Sequence, residues 1–197
     1  SITEERAKSV LFSESYYESG LAALVETASN SSQSNEKQID KKSDDWTNIG
    51  VLMGTIHELY AKKKYPKAQI KSFNTLSDML MALSTNKVEA AFVDQSSVKE
   101  IFAANPHFKV LKKNIFQMEI GAGFNPESDA LPQEFNQLLK EMKLDGTYEA
   151  MVKRWHENTN SQMPEIEYPN PTGVIRIGTM SDIGLPFVTK NNGKFEG

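Results

Sequence analysis

Arg6 stands among hydroxyl residues, with Ser1 and Thr3 just ahead of it. A guanidinium presents a planar fork of N–H donors that matches the two oxygens of a carboxylate, so Arg6 is a candidate anion clamp. Taken alone, an Arg is more often a solvated surface side chain. Gly54-Thr55 falls where an apolar stretch gives way to a helical pattern. Free N–H groups and the helix dipole converge at such a corner, and an anion fits there. Gly54 permits close approach, while Thr55 either caps the helix or offers its hydroxyl to a ligand. Asp94 closes the apolar run KVEAAFVD. Open α/β sheets place ligands at the carboxyl ends of their parallel strands. The competing reading is that Asp94 caps a helix starting at Ser96.

Other chemistries find no support. His57, His107 and His156 are dispersed without metal-ligand spacing, so surface or core roles are their default, and no metal site is expected. Gly121-Ala122-Gly123 lacks the third glycine and the helix of a dinucleotide loop. No Gly-x-Ser-x-Gly elbow occurs. Glu4-Glu5 reads as a solvated first turn rather than a catalytic pair.

The elements that must position these residues are legible from period and punctuation. LAALVET (21–27) predicts a short buried strand. Residues 28–45 are polar and predict a flexible loop. From Trp46 strands and helices alternate. Strands are expected at 48–53, 68–73, 87–94, 108–113 and 116–124. A helix from Thr55 to about Lys64 stops before Pro66. Leu76, Met79, Leu80 and Leu83 mark a second helix, and Ser96 to Ala104 a third. Two helices close the unit, and Leu144 to Trp155 reads as a core-facing stripe. The alternation implies an α/β fold with a doubly wound, mainly parallel sheet. Residues 158–172 read as a linker, 174–179 as a new strand, and Asn191-Asn192-Gly193 as a hairpin turn.

The totals set limits. The chain has 197 residues, no cysteine and a net charge of −4. That balance argues against a nucleic-acid partner, which would need a basic excess. No window approaches the roughly 18 consecutive apolar residues of a membrane helix.

Four stretches, SITEERAKSVLFSESYY, NIGVLMGT, KVEAAFVD and LKEMKLDGTYEAMVKRW, match in order and spacing those of a known family. The chain resembles the bacterial extracellular solute-binding proteins that capture polar amino acids, which have the two-lobed flytrap fold called periplasmic binding protein type 2. The resemblance covers about residues 1–157. It implies that residues 1–27 end lobe one and cross the hinge, and that 46–157 form lobe two. The tail, VIRIGTMSDIGLPFVTKNNGKFEG, resembles the first strand and hairpin of a following lobe one (173–197). A tandem parent is therefore expected, with a circular permutation as the alternative. By the same resemblance, Arg6 takes the ligand's carboxylate with Ser1 beside it, Asp94 accepts from its ammonium, and Gly54-Thr55 completes the ligand-binding set. Ile56 departs from the family's usual small hydroxyl residue. The usual lobe-one aromatic is also missing: Ile183, Gly184 and Leu185 stand in its place, and Phe187 is expected in the core.

The implied function is extracytoplasmic capture of a polar amino acid for ABC-type transport, in the periplasm or outside the cell, with a membrane permease as partner. A flytrap sensor of a membrane receptor is the alternative. A dehydratase-like or cell-wall-associated enzyme is the weakest reading, since no general base is evident. No cofactor is expected. The severed topology also raises the expectation of a strand-swapped homodimer.

Overall fold

The structure, a computed structural model, describes residues 1–27, 45–128, 130–157, 162, 164–165, 170, 172–180 and 182–197. All of the expected loop at 28–45 except Asp45, and most of the linker at 158–172, lie outside the described residues.

The central sheet is built from β2 (Tyr17–Glu26), β3 (Asn48–Leu52), β4 (Gln69–Phe73), β5 (Ala90–Asp94) and β6 (Phe108–Lys112), in the order β4-β3-β5-β2-β6. β3 pairs in parallel with both β4 and β5. β2 runs against β5 on one side and β6 on the other, so it alone is reversed in a mostly parallel sheet. β2 is longer than the 21–27 strand read from the sequence. Its first half, Tyr17 to Gly20, pairs antiparallel with β7 (Gln117–Ile120). The expected continuous strand 116–124 is therefore split. Beyond Ile120 the chain breaks at Gly121-Ala122, and β8 (Gly123–Phe124) joins β1 (Leu11–Phe12) in a separate two-stranded sheet. At Gly121 an added Cβ would lie 2.8 Å from Ile2 Cδ1, so the break sits at a close approach of two chain segments.

The apolar runs in β2 and β5 do not alternate because both faces of the sheet are covered. Ala22, Leu24, Ala91 and Val93 pack on one face with Met79 and Leu83 of α3 (Leu76–Ser84). Leu21, Ala23, Ala90 and Phe92 pack on the other with Ala61 of α2 (Ile56–Lys64), Trp46 and Tyr65. Thr55 and Thr75 cap α2 and α3 by accepting from the N–H groups of Glu58 and Asp78. α1 (Glu4–Ala7) is a single turn capped by Thr3, with Glu4 and Glu5 exposed. A 3-10 turn (Gln95–Ser97) leads into α4 (Val98–Ala104), and α5 (Leu131–Asp145) and α6 (Thr147–Val152) follow.

Two sequence expectations fail here. The stripe from Leu144 to Trp155 is not core-facing throughout: Trp155 is buried, but Leu144 is 79% exposed and Met151 is exposed too. Gly146, left-handed at φ +85, ends α5 and turns the phase, so Leu144 and Tyr148 sit on different helices. Residues 174–179 form no strand, and Val174 is 89% exposed. β-branched composition favours a strand but does not supply a neighbour to pair with. The hairpin does form, as β9 (Thr189–Asn191) and β10 (Lys194–Glu196), with positive φ at both Asn192 and Gly193.

Candidate functional site

A cavity of about 380 Å³ opens at the carboxyl ends of β3 and β5, and Ser1, Arg6, Gly54, Thr55 and Asp94 all line it. The structure thus brings together every site residue read from the sequence. Three elements position them. α1 carries Arg6, the β3-to-α2 corner carries Gly54 and Thr55, and the end of β5 carries Asp94.

Arg6 is held on two sides. One guanidinium nitrogen, Nη1, donates to the Ser1 carbonyl at 3.1 Å and to Ser1 Oγ at 2.9 Å. The other, Nη2, donates to the Gly54 carbonyl at 2.7 Å. Arg has five N–H donors, so donors remain for a ligand carboxylate while the fork keeps its orientation. This geometry gives Ser1 an orienting role besides any contact with a ligand.

The corner differs in detail from the sequence reading. Gly54 sits at φ +72 with open space where a Cβ would be, so glycine is required by backbone conformation rather than by crowding. Its N–H is already engaged, donating to Glu58 Oε2 at 2.7 Å. Thr55 Oγ1 accepts from the Glu58 N–H at 3.3 Å and donates to the Leu52 carbonyl at 2.7 Å. Capping therefore accounts for the Thr55 hydroxyl. The donors a helix leaves for an anion are those of its next positions, Ile56 and His57, which have no intrahelical acceptor.

Asp94 both caps and faces the cavity. Its Oδ1 accepts from the Ser96 N–H at 3.0 Å and from Ser19 Oγ in a short contact. A carboxylate has about four lone-pair sites, so acceptance by Asp94 is far from saturated. Burial pushes its carboxyl above the usual range, with the Ser19 and Ser96 hydrogen bonds pulling the other way. A cation placed beside it would relieve that cost. Behind Asp94, Ser96 Oγ lies 2.9 Å from Ser19 Oγ and 2.8 Å from the Tyr17 hydroxyl, which in turn lies 3.0 Å from His156 Nδ1. The chain links the first half of β2 to the residues after α6.

Sequence reasoning missed three contributors to the wall. His57 is 6% exposed and neither ring nitrogen has a partner among the described residues. Burial lowers its pKa to about 4, so the ring is neutral near pH 7. Ser97 is 1% exposed and its Oγ is likewise without a partner. Phe187 was expected in the core, yet it lines the cavity half-buried, its ring 5.8 Å from that of Tyr17. No local signal marks the first two, because their burial comes from elements distant in sequence. Among the described residues no group of three or more metal-ligating side chains converges, and no helix is long and apolar enough to cross a membrane.

Residues 1–158 match the family model of the bacterial extracellular solute-binding proteins, family 3. The chain belongs to that family. It is 27% identical over 161 residues to ABC transporter arginine-binding protein 1 of Escherichia coli K12, an alignment covering 78% of this chain and 62% of that one. It is 27% identical over 167 residues to the histidine-binding periplasmic protein of the same strain, covering 80% and 62%. The chain thus spans a little over three fifths of these relatives' length. Among solved structures, an ancestral arginine-binding protein bound to arginine matches at 30% identity with a TM-score of 0.66, covering 78% of this chain and 67% of that one. The arginine-, lysine-, histidine-binding protein ArtJ of Geobacillus stearothermophilus matches at 26% identity with a TM-score of 0.66, covering 80% and 67%.

Proposed function

We propose that this chain supplies one wall of an extracytoplasmic site that captures a free amino acid for ABC-type transport. On this reading residues 46–157 are the second lobe, residues 1–27 the crossover from the first, and a membrane permease receives the loaded protein. A single observation carries it. Arg6 and Asp94, opposite in charge and 88 positions apart, line one cavity of about 380 Å³ at the strand ends of an α/β sheet. A zwitterion carries one carboxylate and one ammonium on the same carbon, and these two side chains complement both. Membership of family 3 and relatives named for arginine and histidine binding support the same class of ligand.

A thermal-shift panel of the twenty amino acids tests it. A ligand that binds only the folded state raises the midpoint by mass action. At least one amino acid is expected to stabilise the chain, and Arg6→Ala to abolish the shift. A flat panel sinks the proposal.

A further inference from the structure

We infer that Tyr17 and His156 are positioning residues for the ligand's ammonium: they end a hydrogen-bonded chain that holds Asp94 ready to accept it. The inference rests on the proposed capture of an amino acid and adds two residues to that site.

β2 and two turns build the chain. Tyr17 and Ser19 lie two positions apart on β2, so their side chains leave the same face of the strand. Ser19 is buried. β5 ends at Asp94, opposite Leu21 of β2, and the 3-10 turn that follows brings Ser96 against Ser19. His156 stands in a π-helical turn, Lys153–Glu157. The buried Trp155 anchors that turn, as does Lys99 Nζ, which donates to the Glu157 carbonyl at 2.7 Å. The His156 ring lies 4.6 Å from that of Tyr17.

Proton count fixes the direction of the chain. Each hydroxyl has one proton to donate. Ser19 spends its proton on Asp94 Oδ1, so across the 2.9 Å to Ser96 Oγ it accepts. Ser96 has then spent its own proton on Ser19 and accepts from the Tyr17 hydroxyl at 2.8 Å. Tyr17 keeps its proton at neutral pH, because burial raises its pKa. That proton goes to Ser96, so the contact of 3.0 Å with His156 Nδ1 needs the imidazole as donor. Burial lowers the pKa of His156, so the ring is neutral at pH 7 and its single proton sits on Nδ1. Every donor in the chain thus points towards Asp94. Hydrogen bonds aligned in this way polarise one another and favour an ionised acceptor. They offset part of the burial that opposes ionisation of Asp94. The Ser19 hydroxyl and the Ser96 N–H both bond Oδ1, which leaves Oδ2 for the ligand's ammonium.

Two readouts on the full chain test the inference. The first is proton–nitrogen NMR correlation at pH 7, with His156→Asn identifying the His156 signals. The ring proton is expected on Nδ1. A proton on Nε2 would make Nδ1 an acceptor, turn the Tyr17 donor away from Ser96 and overturn the inference. The second is titration calorimetry with each of the twenty amino acids, the tightest of which is then titrated into variants. Tyr17→Phe removes the hydroxyl and keeps the ring, and is expected to weaken binding about tenfold. His156→Ala is expected to weaken it about fivefold. His156→Asn, whose amide nitrogen donates from near the place of Nδ1, is expected to restore affinity to within about twofold of wild type. Wild-type affinity in folded Tyr17→Phe and His156→Ala would confine the chain to a structural role, overturning the inference and leaving capture standing. Equal losses in His156→Ala and His156→Asn would overturn it too, because packing rather than the donor would be responsible. If Tyr17→Phe does not fold, the ring proton and the two His156 variants decide. If the wild type binds none of the twenty amino acids, capture itself fails and the inference falls with it.

Discussion

Arg6 Nη2 donates to the carbonyl oxygen of Gly54 across 2.7 Å, joining the first helical turn to the corner between β3 and α2, 48 positions later. The same guanidinium holds Ser1 through Nη1. The contact fixes where the fork points before any ligand arrives, which lowers the ordering cost of binding. Arg6→Ala is expected to weaken ligand binding by about 100-fold or more, because a charge-assisted pair is lost. Arg6→Lys keeps the charge without the fork and is expected to lose about tenfold. Neither is expected to cost more than about 2 kcal/mol of stability, since the contacts are only partly buried. Titration calorimetry and a denaturant melt separate the two effects. A melt in which Arg6→Ala unfolds the chain outright would make Arg6 a structural residue first.

Asp94 divides stability from function. Its folded carboxyl has a raised pKa, chiefly from burial, so the native state binds a proton more readily than the unfolded chain does. The ionised form therefore costs stability at neutral pH. That cost is relieved as pH falls through the raised folded value towards the ordinary one. Asp94→Asn keeps an oxygen for the Ser96 N–H and Ser19 Oγ while removing the charge. The unliganded variant is expected to melt at or above the wild-type midpoint at pH 7, and to bind about 100-fold more weakly. A variant that melts well below wild type yet binds normally would contradict the assigned role.

His57 sets a different pH dependence. The unfolded ring takes up a proton near pH 6.5, whereas the folded ring resists until about pH 4. Between those values the unfolded state binds more protons, so stability falls as pH drops through this window. The full shift corresponds to roughly 3 kcal/mol. His57→Leu is expected to flatten the acid limb between about pH 6.5 and pH 4. It should also raise stability at pH 7, since it removes two buried nitrogens that have no partner among the described residues. Denaturant melts of both proteins across that range check it. Parallel acid limbs would mean that some other group carries the dependence.

The sheet was legible where the sequence pattern reports burial directly. The run LAAL of β2 and the run AAFV of β5 are apolar without alternation because the two clusters cover both faces. The Thr55 cap was legible because a cap is a contact within one turn; Thr75 caps α3 in the same way but was not read from the sequence. The positive φ pair of the hairpin is also local. What failed depends on partners far along the chain. Residues 174–179 have the β-branched composition of a strand and no ladder, because composition cannot supply a neighbour. Leu144 keeps the helical spacing but lies on the wrong side of the turn at Gly146. The convergence of Ser1, Arg6, Gly54, Thr55 and Asp94 came from family resemblance rather than from period, since no local rule joins positions 6 and 94. His57 and Ser97 lie beyond any pattern, as their burial is set by elements packed from elsewhere.

Gly184 holds the tail against the cavity. It sits at φ +89, and a Cβ there would lie 2.5 Å from Leu76 Cδ2. Around it the Leu76 N–H donates to the Asp182 carbonyl at 3.4 Å, Ser77 Oγ donates to Asp182 Oδ2 at 2.9 Å, and the Ile183 N–H donates to the Val188 carbonyl at 3.2 Å. Alanine would add a left-handed backbone cost of about 1–2 kcal/mol to a direct clash with a core leucine. Among the described residues the tail also meets the body through the Phe187 ring beside Tyr17 and His156, contacts weaker than the sheet ladder, so the tail is expected to yield while the sheet does not. In Gly184→Ala, amide exchange at Ile183 and Val188 should accelerate by about tenfold or more, with that of Leu24 and Phe92 unchanged. Ligand affinity should fall with it, because Ile183 and Phe187 leave the cavity wall. Unchanged protection at Ile183 and Val188 would show that the clash is absorbed by Leu76 instead. Faster exchange with undiminished affinity would remove the tail from the site.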